Sequence, residues 1–300
     1  MRDREFLSSE TEPVLSELWD NPEDAVYDRS DSQRELPLSQ SGRTAAEVAR
    51  ACAREAGRIA MAAFGARQDV RVKGRGNVVT ETDLAAESAI LALLRDEYPE
   101  HTVLAEETIA DAPRGGWLWV IDPLDGTQNF SRGIPYFATN IAVCHDGEPL
   151  LGLTYAPASG EEFFAQRGAG LTVNGQPARV SAAKSVPDCV IGADLGYEDV
   201  RAARMLELLA EVWPVQSVRV MGSAALGLAY AACGRYDLFL HHYLYPWDVA
   251  AGIVLVTEGG GAVRDRDGGP ATIDSEGIVA GAPEAVAEML SLARDRPWRG

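Results

Sequence analysis

The strongest chemical feature of this chain is the sequence DPLDGT at positions 122–127, which follows directly on an apolar stretch. Pro123 fixes its own φ and has no N–H to donate, so we expect the chain to turn there and the strand to end at Asp122. The carboxylates of Asp122 and Asp125 and the carbonyl oxygen of Leu124 can then point at one place. Hard divalent cations prefer such oxygen ligands, so the loop predicts a metal site.

The same loop offers backbone donors to an anion. Gly126 permits close backbone approach because it lacks a Cβ. The N–H groups of Gly126 and Thr127 could begin a helix, and free N–H groups at a helix start can hold a phosphate. The loop therefore combines candidate metal ligands with candidate phosphate donors.

Three more clusters could supply the ligands that one loop lacks. They are Glu106 with Glu107, Asp248 within Tyr245–Gly252, and Lys73 with the segment Asn77–Asp83. The two glutamates follow the apolar residues 103–105, so we expect them at the end of a strand. Asp248 is expected at a helix start, where an isolated aspartate more often serves as an N-cap. Asp83 is expected just ahead of a helix.

Capping and periodicity predict the elements that position these residues. Thr44 and Glu47 form the T-x-x-E pattern of a capping box, and apolar residues then recur at helical spacing to about Phe64. A second helix is predicted from about Leu84 to Tyr98. Short strands are predicted at 70–72, 78–79 and 117–121, then a meander within 137–173, with turns at 146–147, 157–160 and 174–175.

From about residue 186 the pattern changes to strands that alternate with helices. Strands are predicted near 189–193, 215–220, 236–240, 262–263 and 278–279, and helices at 200–213, 223–234, 248–258 and from 283 onward. Antiparallel strands first and α/β alternation second indicate two linked subdomains. We place them at 44–185, which carries most of the metal and phosphate residues, and at 186–300.

Composition limits the partners of this protein. The net charge of −18 disfavours nucleic acid and anionic membranes, but a small phosphorylated metabolite can still bind where cations invert the local field. Residues 1–43 contain eleven acidic and five basic residues, and we expect them to form a disordered tail. The four cysteines form no CxxC pair and the N-terminus has no apolar segment, so we expect a cytoplasmic location.

Taken in order, these clusters resemble the inositol monophosphatase family of lithium-sensitive, metal-dependent phosphatases. The family's first signature matches Trp119–Phe130 and its second matches Trp247–Gly260, and the glutamate pair and the T-x-x-D motif at 80–83 match as well. The resemblance extends from about residue 44 to the C-terminus. It implies an α+β fold, a layered αβαβα sandwich with an antiparallel sheet in the N-terminal half and a mixed sheet in the C-terminal half. It also implies a homodimer.

The resemblance further implies a role for each residue of the site. Two or three Mg²⁺ ions would have as ligands Glu106, Asp122, the Leu124 carbonyl, Asp125 and Asp248. Glu107 and Asp83 would hold waters beside the ions, and Thr127 with Asp83 would orient and deprotonate the attacking water. The substrate would contact Asp125, Asp248, the amides of Gly126 and Thr127, and a ring-lining group made of Gly222, Ser223, Ala224 and His241. Lys73 would lie near the site and balance its charge.

The activity implied is hydrolysis of inositol monophosphate or a related small sugar phosphate by a metal-activated water. Fructose 1,6-bisphosphatase is the main alternative within the family, and phosphatases of 3′-phosphoadenosine 5′-phosphate or histidinol phosphate are weaker ones. A catalytically inactive binding protein on the same fold is a further alternative. Inactive relatives usually lose metal carboxylates, whereas Glu106, Asp122, Asp125 and Asp248 are all present here.

Position 241 bears on the choice of substrate. Family members that prefer inositol phosphate commonly carry a glutamate seven residues before the second-signature aspartate, where this chain has His241. Ionised glutamate only accepts hydrogen bonds, whereas neutral histidine offers one donor and one acceptor. A protonated His241 could instead pair with a second anionic group, as in a bisphosphate or an acidic sugar. The alternative is that the side chain points elsewhere and has no effect.

Overall fold

A computed structural model of the chain describes residues 35–67, 69–74, 77–296 and 298. Most of the predicted acidic tail, residues 1–34, lies outside them, so its disorder stays a prediction. The end of that tail is described and contacts the second helix. Tyr98 donates its hydroxyl to the carbonyl of Pro37 at 2.9 Å, and Arg43 pairs with Glu97 at 3.1 Å.

The first half of the chain consists of two long helices, a small hairpin and a large sheet. Its elements are α1 (Ala45–Ala63), β1 (Arg71–Gly74), β2 (Asn77–Val79), α2 (Glu81–Glu97), β3 (Thr102–Ala105), β4 (Trp117–Asp125), α3 (Thr127–Ser131), β5 (Ala138–His145), β6 (Glu148–Ala156), β7 (Glu161–Gln166), β8 (Gly170–Val173) and β9 (Gln176–Ala178).

The second half alternates strands and helices, as its sequence pattern predicts. Its elements are β10 (Val190–Asp194), α4 (Asp199–Glu211), β11 (Ser217–Arg219), α5 (Ala224–Ala232), β12 (Leu238–His241), α6 (Pro246–Glu258), β13 (Ala262–Asp265), β14 (Ile278–Gly281) and α7 (Pro283–Leu292). The division into subdomains at residue 186 stays a prediction.

Both long N-terminal helices begin with a capping box. The predicted box is confirmed, since the hydroxyl of Thr44 accepts the N–H of Glu47 at 3.2 Å and Glu47 accepts the N–H of Thr44 at 2.8 Å. In α2, Asp83 accepts the N–H of the N-cap residue Thr80 at 2.8 Å. Asp83 is thus the third residue of α2. The expectation that it precedes the helix is wrong, because Thr80 takes the capping position.

The large sheet has seven strands in the order β3-β4-β5-β6-β7-β8-β9. Its neighbours are antiparallel except for β3 and β4, which run parallel. Two of its hairpin turns contain the predicted residue pairs. Asp146 and Asn174 have φ of 50° and 49°, and the glycines that follow them also have positive φ, which such tight turns require.

Strand β4 does not end at Asp122 as the sequence suggested. It continues to Asp125, and its pairing with β5 shifts register so that Asp122 faces Asn140 while Asp125 faces Ala138. This is a β-bulge, which accommodates a residue that cannot donate to the ladder, and Pro123 lies in it. The bulge turns both aspartates toward one place while the strand stays in the sheet.

The second sheet has five strands in the order β11-β10-β12-β14-β13 and is mixed, because β10 runs parallel to β11 and β12 whereas β14 runs antiparallel to β12. Helices α5 and α6 pack between the two sheets, α1 and α2 cover the outer face of the first, and α4 and α7 cover the outer face of the second. These five layers form the predicted αβαβα sandwich.

Helix α6 approaches its neighbours closely through glycine. A Cβ on Gly252 would lie 2.4 Å from Leu228 of α5, and a Cβ on Gly152 of β6 would lie 2.4 Å from the carbonyl oxygen of Ala251. Both positions therefore need glycine, because a side chain at either one would prevent α6 from packing this closely against α5 and β6. Among the described residues, no helix combines the length and apolarity needed to cross a membrane.

Candidate metal centre and active site

The centre of the site is a group of three carboxylates from distant parts of the chain. Asp122 and Asp125 come from the bulge of β4, and Asp248 comes from the first turn of α6. One carboxylate oxygen of each lies within 4.8 Å of those of the other two. Asp122 and Asp125 are only 2% and 8% exposed.

Backbone N–H groups orient all three carboxylates. Asp122 accepts the N–H of Leu124 at 2.9 Å, two residues further along the bulge. Asp248 accepts the N–H of Tyr245 at 2.7 Å, so it is the third residue of α6 rather than the N-cap residue itself. Asp125 accepts the N–H of Ala225 at 3.1 Å, from the first turn of α5. Fixed orientation of this kind is what a preorganised cation site requires.

Helix α3 begins beside these carboxylates, as predicted. Gly126 precedes it with φ of 86°, and a Cβ there would lie 3.0 Å from the carbonyl oxygen of Tyr136. A side chain at position 126 would therefore meet both an unfavourable φ and the neighbouring backbone. The first residue of α3 is Thr127, whose hydroxyl lies 2.8 Å from Asp83 and 3.0 Å from the Leu124 carbonyl oxygen.

Glu106 and Glu107 lie at the end of β3, where the sequence places them, and both pair with Lys73. The Lys73 ammonium is 3.2 Å from Glu106 and 2.6 Å from Glu107. The other oxygen of Glu107, Oε1, is buried and has no hydrogen-bond partner in the described part of the chain. A buried carboxylate oxygen without a donor is costly, and it fits a position that faces a cation.

Burial and mutual repulsion raise the pKa values of these carboxyl groups. The pKa of Asp125 is raised to about 7, mainly by burial, although the hydroxyl of Ser223 partly opposes the shift. Burial also raises the pKa values of Asp122 and Asp248, and the charges of neighbouring carboxylates raise them further. Acidic groups crowded in this way repel one another unless cations neutralise them. The donor set therefore fits divalent metal ions.

Three of the predicted ring-lining residues lie at the start of α5, next to Asp125. Ser223 donates its hydroxyl to Asp125 and also caps α5 by accepting the N–H of Leu226 at 3.2 Å. Gly222 precedes it, and Ala224 is the first residue of α5. Ser223 therefore positions Asp125, whichever substrate the site accepts.

His241 is buried at the end of β12, with 6% of its surface exposed. Its Nδ1 accepts the N–H of Tyr243 at 3.1 Å, so that nitrogen carries no proton. Burial, together with a smaller effect of the neighbouring His242, lowers the pKa of His241 to about 3. The buried ring and the N–H that its Nδ1 accepts favour the neutral form of His241, and this disfavours the alternative in which a protonated His241 pairs with a second anionic group.

Sequence reasoning missed two buried carboxylates that support the site. Asp194, at the end of β10, accepts the N–H groups of Gly222 at 2.7 Å and Ser223 at 3.2 Å. Glu87, in α2, accepts the N–H of Glu107 at 2.8 Å. Asp194 directly follows a predicted strand, the same pattern that singled out Glu106, so that signal was available. Glu87 has no comparable signal, because an acid within a predicted helix is usually exposed.

Comparison with known proteins agrees with the fold and the site. The model of the inositol monophosphatase family matches residues 42–297. The protein named Nus factor SuhB from Pasteurella multocida is 36% identical over 249 residues, 81% of this chain and 93% of the relative. The fructose-1,6-bisphosphatase/inositol-1-monophosphatase of Thermotoga maritima is 37% identical over 227 residues, 75% of this chain and 86% of the relative.

A solved structure agrees at the level of the fold. The crystal structure of the extragenic suppressor protein suhB from Bartonella henselae superposes with a TM-score of 0.78 at 35% identity, and covers 83% of this chain and 98% of that one. The layered fold and the carboxylate site define a phosphatase of a metal-dependent class. This chain belongs to the inositol monophosphatase family.

Proposed function

We propose that this protein is a magnesium-dependent phosphomonoesterase that hydrolyses inositol monophosphate or a related small sugar phosphate. The observation that carries the proposal is the group of three oriented carboxylates, Asp122, Asp125 and Asp248, beside the start of α3. An inactive binding protein is disfavoured, because Glu106 and these three aspartates are all retained and face one region.

The metal ligands we propose are the ones the family resemblance implies. They are Glu106, Asp122, the Leu124 carbonyl, Asp125 and Asp248, for two or three Mg²⁺ ions. When bound, such ions lower the pKa of water and neutralise charge on a phosphate and its leaving oxygen. Lys73 balances part of the acidic charge near Glu106 and Glu107.

The residues of the chain supply orientation and proton transfer. We propose that the N–H groups of Gly126 and Thr127 contact the phosphate oxygens, as the family resemblance implies. The Thr127 hydroxyl donates a hydrogen bond to Asp83. The lone pairs of the Thr127 oxygen can then accept a hydrogen bond from an attacking water. Asp83 is buried, which raises its pKa and makes it a better proton acceptor than an exposed aspartate. We assign Glu107 to orient a second water through its unpartnered oxygen.

The neutral state of His241 favours a monoester over a bisphosphate. A second phosphate near this ring would lack the positive charge that a protonated imidazole supplies. Fructose 1,6-bisphosphate therefore remains the weaker alternative, although a relative carries both activities in its name. Lithium inhibition, a cytoplasmic location and a homodimer are further proposals that rest on the family and the composition.

The name Nus factor SuhB, carried by relatives of similar identity, suggests a second candidate function. A variant without phosphatase activity, such as Asp122→Asn, would separate the two functions in cells. If deletion of the whole protein produces a Nus-type phenotype and the Asp122→Asn variant does not, the second candidate function is favoured.

The proposed activity is tested by measuring phosphate release from a panel of phosphorylated metabolites with magnesium and with excess chelator. We expect release from inositol 1-phosphate or a similar monoester that depends on magnesium. Asp122→Asn should abolish it, whereas Asp96→Asn, an exposed aspartate of α2, should not. Full activity in excess chelator would overturn the proposal, and so would no release from any monoester.

A further inference from the structure

The connection between β11 and α5, residues 220–223, lies beside the carboxylate group but gains little from apolar packing. The side chains of Val220 and Met221 are 51% and 39% exposed, so they bury little apolar surface. The connection ends at Ser223, whose hydroxyl donates to Asp125. Polar contacts therefore have to hold this connection if Ser223 is to keep its place.

Asp194, at the end of β10, holds the N–H groups of the connection. Its Oδ1 accepts the N–H of Gly222 at 2.7 Å, and its Oδ2 accepts the N–H of Ser223 at 3.2 Å. Asp194 is only 6% exposed, so water competes little for its carboxylate. The second sheet thus fixes one side of the connection.

Asn129, in α3, holds the carbonyl groups of the same connection. Its Nδ2 lies 2.7 Å from the carbonyl oxygen of Met221, 3.2 Å from that of Gly222 and 2.9 Å from that of Tyr136. Three carbonyl acceptors suit a primary amide, which offers two donors, whereas a hydroxyl offers one and an ionised carboxylate none. Asn129 and Asp194 therefore hold the connection from two sides.

The contact between Asn129 and the connection is close, and Asn129 is itself fixed. Its carbonyl accepts the N–H of Ile134 at 2.9 Å, which closes the turn after α3. Gly222 has φ of 76°, and a Cβ there would lie 3.4 Å from Nδ2 of Asn129. Helix α3, which follows the two aspartates of β4, is thus joined to the connection through this side chain.

The connection in turn orients Asp125. The Ser223 hydroxyl and the N–H of Ala225 both donate to the same oxygen of Asp125, Oδ2, so its other oxygen is available to an ion. A displaced Ser223 would let this carboxylate rotate. Ion binding would then have to order it again, at a cost in conformational entropy.

We propose that Asn129 is a positioning residue for the metal centre, which holds the 220–223 connection against α3 so that Ser223 keeps its hydroxyl on Asp125. The proposal rests on the proposed magnesium-dependent function. It gives Asn129 an effect on magnesium affinity that acts through Ser223 rather than through contact with the ion.

The test measures the dissociation constant of magnesium by calorimetry, with no substrate present. We expect Asn129→Ala to raise it about fivefold, the scale of one lost hydrogen bond. In a Ser223→Ala background the same substitution should raise it less than about twofold, because the link through which Asn129 acts is already broken. Gln216→Ala, which removes an exposed amide next to β11, is the matched control and should bind magnesium like the wild type.

A second variant and a stability measurement separate positioning from damage to the fold. Asn129→Ser keeps one donor, so it should weaken magnesium binding less than Asn129→Ala does, and it replaces that variant if the alanine protein does not fold. Thermal unfolding in excess chelator shows that each variant is folded before magnesium is added.

An unchanged magnesium dissociation constant in Asn129→Ala would overturn the proposal. Equal fold-changes with and without the Ser223 hydroxyl would overturn it as well, because Asn129 would then act independently of Ser223. If the wild-type protein binds magnesium but hydrolyses no phosphate monoester, the proposed phosphatase function alone is refuted.

Discussion

Glu87 and Glu107 are joined by a hydrogen bond in which the Glu87 carboxylate accepts the N–H of Glu107 at 2.8 Å. The same carboxylate accepts the hydroxyl of Thr108 through its other oxygen. A buried acid of α2 thus holds the loop after β3, on which two proposed site residues lie. Loss of this acceptor would leave the partly buried N–H of Glu107 and the hydroxyl of Thr108 without their shared carboxylate.

Glu87→Ala is expected to loosen that loop. The free energy of unfolding should fall by about 2 kcal/mol, because the N–H of Glu107 and the hydroxyl of Thr108 lose a charged acceptor, and the magnesium concentration for half-maximal activity should rise. Glu87→Gln keeps an acceptor oxygen and should lie close to the wild type in both measurements. Urea denaturation and magnesium titration check this, and equal behaviour of the two variants would contradict it.

Asp125→Asn is expected to abolish activity and to stabilise the metal-free protein. The amide can still accept the N–H of Ala225 but carries no charge for a cation, so we expect kcat to fall by at least about 100-fold. In chelator the same change removes one charge from a crowded buried cluster, so Tm should rise. A chelated variant less stable than the wild type would contradict this account.

Without metal, the protein should become less stable as pH rises. Ordinary acid denaturation has the opposite direction, because stability then falls as pH falls. Burial raises the pKa values of Asp125 and Glu107 to about 7 and of Asp194 to about 6, compared with about 4 in an unfolded chain. The folded state therefore binds protons more tightly, so this stabilisation is present below about pH 4 and is lost as pH rises to about 7. Thermal unfolding in chelator should show Tm falling from pH 5 to pH 8, less steeply in Asp125→Asn. Magnesium should reverse the trend.

His241→Glu is expected to shift relative turnover towards inositol 1-phosphate and away from other sugar phosphates. A carboxylate at this position only accepts, and it can still receive the N–H of Tyr243 that Nδ1 of His241 now accepts. His241→Gln, which is uncharged and can both donate and accept, serves as the control. Ratios of kcat/KM for inositol 1-phosphate and a second substrate decide the point. A ratio unchanged in both variants would leave His241 without a role in selectivity.

Two N-terminal deletions, of residues 1–35 and of residues 1–43, are expected to differ in their effect on stability. Deletion of residues 1–35 should leave kcat/KM within about twofold of the full chain, since their composition cannot build a core. Deletion of residues 1–43 also removes Pro37 and Arg43, which contact Tyr98 and Glu97, so Tm should fall. Loss of activity in the shorter deletion would show that the acidic segment belongs to the catalytic unit.

Local patterns in the sequence were sufficient to predict many elements of the fold. The capping box at Thr44, the turns at Asp146 and Asn174 and the helix that starts at Thr127 depend on neighbouring residues, so short stretches of sequence predict them. The three grouped aspartates, Asp122, Asp125 and Asp248, were predicted from the two signatures, because they are adjacent to distinctive Pro, Gly and Trp residues.

Tertiary structure decided what depends on contacts between distant parts of the chain. The bulge at Pro123 exists because β5 continues to pair with β4 on both sides of it, and no local pattern reveals that pairing. Asp125 is oriented by α5, a hundred residues further along the chain, and the loop of Glu107 by Glu87. The sequence alone allowed His241 either charge state. Burial and the N–H of Tyr243 favour its neutral form, because desolvation penalises the charged imidazole.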